Sequence, residues 1–95
     1  TREITGLYFE LSHSENVISA FNPSTNIHFA VPIYDRVDIH IYDMAGRLVT
    51  TLANGYFNPG HHSVSWNASS YASGVYFVKM QSSNFLKTQK VMLLK

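Results

Sequence analysis

Cysteine is absent from the 95 residues, and charge is scarce: Lys plus Arg number 7 and Asp plus Glu 6. Without Cys there is no disulfide framework, no thiolate nucleophile and no Cys-based zinc site. A formal net charge of +1 excludes the broad basic field that holds a phosphate backbone, so no nucleic-acid partner is expected. The longest apolar runs are four residues, as in Val91-Met92-Leu93-Leu94, whereas a spanning helix needs about 20, so no transmembrane segment is expected. The 5 glycines and 3 prolines stand singly, which leaves no Gly-rich phosphate loop, repeat or low-complexity linker. The opening Thr1-Arg2-Glu3-Ile4 has no Met and no basic-then-apolar signal-peptide pattern. We read the sequence as the end of a longer chain, with any export address upstream or in its own C-terminus.

What is present is an apolar and aromatic chain with a hydroxyl- and amide-rich surface. Hydrophobic residues make up 45% and aromatics 14%, which excludes intrinsic disorder. A chain this short forms one domain with a single modest core. The few positive charges are uneven: four of the 7 Lys plus Arg are Lys79, Lys87, Lys90 and Lys95, and no Asp or Glu follows Asp43.

Period-2 alternation recurs along the chain, and no window shows a helical period. Ile27, Phe29 and Val31 alternate with His28 and Ala30, and Val37, Ile39 and Ile41 alternate with Asp38, His40 and Tyr42. His62, Val64 and Trp66 form a third set, and Tyr76, Val78 and Met80 a fourth. Each describes a strand with one buried face. The segment Phe85 to Leu94 ends apolar on both faces, which predicts cover on both sides or contact with another domain. Asp43-Met44-Ala45-Gly46 reads as a turn between strands Val37–Tyr42 and Arg47–Ala53, with Asp capping and Gly supplying positive φ. Asn54-Gly55 and Asn58-Pro59-Gly60 are further turn signals, and Ser82-Ser83-Asn84 links the last two strands. Pro32 confines its strand to an edge or ends it. The expected fold is all-β: an antiparallel sandwich of six or seven strands. Residues 1–20 are a linker or the first strand, which would run within Ile4–Leu11.

No catalytic or metal constellation emerges. His61 and His62 are adjacent, so on a strand they face opposite ways and cannot share a metal. His28 and His40 could lie on neighbouring strands, with no carboxylate placed to support them. Ser, His and Asp occur, yet no Ser sits in a Gly-x-Ser-x-Gly elbow. No enzyme activity, metal or cofactor is expected. Trp66, Tyr76 and Phe29 alternate inward and read as core.

Five blocks, in order, resemble a known family. Phe21-Asn22-Pro23-Ser24-Thr25-Asn26-Ile27-His28-Phe29 resembles the Phe-Asn-Pro-Ser-Thr-x-Ile-x-Phe opening of the C-terminal sorting domains of the type IX (Por) secretion system, type A. Ile41-Tyr42-Asp43-Met44-Ala45-Gly46-Arg47-Leu48-Val49 resembles their central hairpin, and Pro59–Ala68 the strand that follows. Ala72-Ser73-Gly74-Val75-Tyr76-Phe77 resembles the Ser-Gly-Val-Tyr-Phe block, and Lys87–Lys95 the closing Lys-containing segment. Where the family usually has Tyr-Pro-Asn-Pro before the Phe, this chain has Val17-Ile18-Ser19-Ala20.

The resemblance implies a seven-stranded Ig-like sandwich over 21–95, related to the Ig-like domain of flagellar hook-capping proteins. It implies a non-catalytic C-terminal module of a larger secreted protein, exported through the periplasm to the cell surface or beyond. The implied partners are the secretion translocon or shuttle proteins, and an upstream cargo domain of the same chain. Asn22, Pro23, Asp43, Gly46, Arg47, Gly74 and Tyr76 are the motif residues, expected to be structural. Arg47 has three alternatives: a pair with Asp43, a pair with a C-terminal carboxylate, or solvation. Candidate recognition residues are Lys87, Lys90, Val91, Leu93 and Lys95, on a strand able to add to a receptor sheet. Against this, edge lysines commonly serve only to keep an edge soluble. A second function class is a carbohydrate-binding module, with Tyr34, Tyr56, Phe57 and Tyr71 as candidate stacking platforms. A third is a structural spacer beside a catalytic domain.

Overall fold

The computed structural model describes residues 8–11, 17–19, 24–83 and 85–94. The expected Ile4–Leu7 start, Asn22, Pro23, Asn84 and Lys95 lie outside these residues. Among the described residues, eight strands build two sheets. The shorter sheet has the order β1-β3-β6, from Tyr8–Leu11, Ser24–Val31 and Gly60–Asn67. The longer has the order β2-β8-β7-β4-β5, from Val17–Ser19, Phe85–Leu94, Gly74–Ser82, Asp35–Asp43 and Leu48–Phe57. Six strands have 8 to 10 residues, and the two from the N-terminal segment have 4 and 3. All pairings are antiparallel except β2 with β8, which is parallel.

The alternation predicted the core. Ile27, Phe29 and Val31 of β3 and Trp66 of β6 face Val37, Ile39 and Ile41 of β4, Val78 and Met80 of β7, and Val91 and Leu93 of β8 in one buried cluster. Rings bridge the sheets: Phe29 meets Phe57 edge-on at 5.2 Å, and Trp66 meets Tyr76 at 5.5 Å. These apolar faces hold two amphipathic sheets together, since neither can bury its inner face alone.

Pro32 ends β3, as a residue without an N–H must, and β3 is the centre of its sheet rather than an edge. The Asp43–Gly46 turn forms where expected, and so does the crossing at Asn58-Pro59. Asn54-Gly55 is not a turn. Both residues lie inside β5, opposite Asp38 and Val37. Asn54 Oδ1 accepts a hydrogen bond from the Arg36 guanidinium, and Gly55 is not among the positive-φ glycines, so the chain stays extended there. His28 and His40 fall in different sheets, so they are not neighbours.

Candidate functional site

Strand directions bring the motif blocks to one end of the sandwich. β3 begins at Ser24 beside Asn67, the last residue of β6. β4 ends at Asp43, which pairs with Tyr76 near the start of β7, and Tyr76 pairs with Val91 of β8. Gly74 pairs with Leu93, so the C-terminal end of β8 reaches the same pole. Residues scattered through the chain therefore form one surface because alternate strands start or stop there.

The Asp43 turn is the most constrained part of this pole. The Asp43 N–H donates to the Arg47 carbonyl at 2.9 Å, and the Gly46 N–H donates to the Asp43 carbonyl at 3.0 Å. Asp43 Oδ1 accepts from the Ala45 and Arg47 N–H groups at 2.9 and 3.0 Å, while Oδ2 accepts from Arg47 Nε at 3.0 Å. Of the alternatives open to Arg47, the pair with Asp43 is the one formed. Gly46 has φ 84°, a conformation that costs any residue with a Cβ. The Arg47 backbone N–H holds the Asp43 carboxyl below its ordinary value of 3.8, and the Arg47 charge and Ala45 N–H add to this against a smaller opposing cost of burial.

A depressed carboxylate stabilises the fold in full above its unfolded value, and that support is lost as pH falls through the lowered one. We therefore expect Asp43→Ala to lower the melting temperature at pH 7, with the gap to the parent closing as pH falls below the ordinary 3.8 and through the lowered value. Paired thermal melts across that range check the sign; a gap that widens in acid contradicts it.

Across a groove of about 320 Å³, Asp43, Met44, Ala45 and Arg47 face Ser73, Gly74, Val75 and Tyr76. Tyr76 spans core and surface. Its ring packs against Trp66, and its hydroxyl donates to the Ala72 carbonyl at 2.6 Å. This bond from an early strand residue to the backbone four positions upstream is the tyrosine corner of Greek-key sandwiches. Alternation marked Tyr76 as core but gave no sign of this bond. Tyr76→Phe should cost about 1 kcal/mol, because Ala72 is exposed and water can replace the lost partner. That corresponds to roughly 4–8 °C in melting temperature, and calorimetry would detect it.

The candidate recognition residues divide by burial. Lys87 and Lys90 are exposed, whereas Val91 and Leu93 are 1% and 0% exposed and belong to the core. Lys87 and Lys90 are three positions apart, so they leave opposite faces of β8. The outer neighbours Met92 and Leu94 are 38% and 49% exposed. Among the described residues the apolar end of β8 is thus covered on its inner face only. β2 flanks it edge-on, pairing with Met92–Leu94. Between Phe85 and Val91, no described strand pairs with that outer edge of β8.

The candidate sugar platforms do not form a row. Tyr34 and Tyr56 are exposed and stack on each other at 5.3 Å. Phe57 packs on Phe29, and Tyr71 packs on Trp66 and Tyr76, so the core claims both rings. His62 is also engaged internally, stacking on Phe29 and donating from Nε2 to the Asn58 carbonyl at 2.8 Å. Among the described residues no three His, Asp or Glu side chains gather as a metal site. No helix among the described residues is long and apolar enough to cross a membrane.

The geometry defines a β-sandwich module whose distinctive residues lie at one pole and along its final strand. The family model for the secretion system C-terminal sorting domain matches residues 21–94, and the chain belongs to that family. Comparison with curated proteins returns no match. The domain is a sorting signal for type IX secretion, marks its protein for the cell surface or extracellular space, and engages the type IX machinery. Domains of this family are in general non-catalytic.

Proposed function

We propose that this chain is a non-catalytic C-terminal signal recognised through β8 by the translocon or a shuttle protein, with cargo lying upstream in the same polypeptide. The observation that carries the reading is the backbone edge of β8 from Phe85 to Val91, which has no strand partner among the described residues. A receptor strand can add there by main-chain hydrogen bonds. Lys87 and Lys90 would place ammonium groups on either side of the added strand, while Val91 and Leu93 hold the edge rigid from within. Lys95 would add the last charge. Asp43, Gly46, Arg47, Gly74 and Tyr76 keep the pole in shape, and the motif residues Asn22 and Pro23 lie outside the described residues. Residues 8–11 and 17–19 would complete both sheets rather than act as a linker, since β1 pairs with β3 and β2 with β8.

The test is a periplasmic reporter fused ahead of Thr1–Lys95 in a bacterium with a working type IX system. The reporter alone should remain periplasmic, and the fusion should reach the surface. A fusion lacking the last ten residues should be retained. Retention of the complete fusion would end the proposal.

A further inference from the structure

The outer faces of the two sheets differ in chemistry. Among the described side chains of the shorter sheet the exposed ones are polar: Asn26 and His28 on β3, and His61, Ser63 and Ser65 on β6. This is the ordinary pattern for a solvated antiparallel face. On the longer sheet, register places Leu48, Tyr42, Phe77 and Lys90 side by side across β5, β4, β7 and β8. One row nearer the motif pole, Val75 pairs with Met92, and Leu94 follows on β8. Leu48, Met92 and Leu94 are 56%, 38% and 49% exposed, and the half-buried Tyr42, Phe77 and Val75 lie in the register between them.

The charges beside these residues have one sign. Lys79 lies with Nζ 5.8 Å from the Tyr42 ring centroid, and Lys90 ends the row. The nearby carboxylates are already engaged: Asp38 with Arg36, and Asp43 with Arg47. Among the described residues no carboxylate pairs with Lys79 or Lys90.

We propose that the outer face of the longer sheet, around Phe77, Met92 and Leu94, is a docking surface for a protein partner that presents an apolar strip flanked by Asp or Glu side chains. Apolar contact supplies affinity, and Lys79 and Lys90 supply orientation and encounter rate. The proposal rests on the sorting reading for the identity of its partner as a component of the secretion machinery, but it concerns a face rather than the edge of β8.

The experiment uses the reporter fused to the complete chain. Met92→Glu with Leu94→Glu, and separately Lys79→Glu with Lys90→Glu, should each lower surface reporter at least tenfold. The exposed Ser63→Glu on the opposite sheet should leave export unchanged. Thermal melts of the purified chains should stay within a few degrees of the parent, since none of these side chains is in the core. The lysine pair keeps the test open if the glutamates at 92 and 94 disturb folding. Full export of both double variants overturns the docking face, while the sorting reading survives if the parent fusion is exported and the reporter alone is not. Loss with the apolar pair but not the lysine pair overturns the acidic character of the partner. Retention of the parent fusion overturns both readings.

Discussion

Replacing Trp66 by Ala should bring the sandwich close to unfolding. Trp66 is the single Trp of the chain and only 2% exposed, and it packs against Tyr71 and Tyr76 where the two sheets meet. Truncating a buried Trp costs about 3–5 kcal/mol. A domain of this size has roughly 5–14 kcal/mol in total. The expected fall in melting temperature is about 15 °C or more. Trp66→Phe should cost far less. The indole Nε1 is buried without a hydrogen-bond partner, so the smaller ring sheds an unsatisfied donor while keeping most of the contact. Calorimetry or far-ultraviolet circular dichroism measures both variants, since neither retains indole fluorescence. Equal losses for Ala and Phe would show that the N–H, not the packing, matters at this position.

The same burial explains what the sequence could reveal. β3, β4, β6 and β7 were legible because one face of each is packed, and packing imposes a period of two. Their partners were not legible. Alternation carries no information about which strands pair, so the separation of β3 from β4 into different sheets and the return of β6 to β3 appear only in the structure. Asn54-Gly55 shows the limit of local turn chemistry. Its pair potential was overridden by ten residues of β5 pairing along β4, with register shifts between Ile39 and His40 and between Ile41 and Tyr42 taking up the irregularity. At the site, the Asp43 turn was legible because its hydrogen bonds are local. The convergence of Ser24, Asp43, Tyr76 and Leu93 at one pole was not, because it depends on four strand directions at once. The aromatic residues misled for a similar reason: Phe57 and Tyr71 stand next to loops in the sequence, yet the core lies within reach of both rings.

β8 combines two roles that a simple truncation cannot separate, and adjacent residues can. Leu93 is fully buried and pairs across from Gly74, while Leu94 is 49% exposed. Leu93→Ala should cost about 2–5 kcal/mol and lower the melting temperature by roughly 10 °C or more. Leu94→Ala should fall within about 0.5 kcal/mol of the parent. Urea titrations give the same contrast as a shift of midpoint at unchanged slope. Removing the last ten residues deletes Val91 and Leu93 together with the exposed positions, so loss of export there mixes unfolding with loss of recognition. If Leu93→Ala abolishes export at a temperature where its chain is still folded, the inner face of β8 contributes to recognition. If export follows the folded fraction of Leu93→Ala, the inner residues act only through the core, and recognition belongs to the edge and outer face. The second outcome is expected, because side chains sealed between two sheets present nothing for a partner to touch.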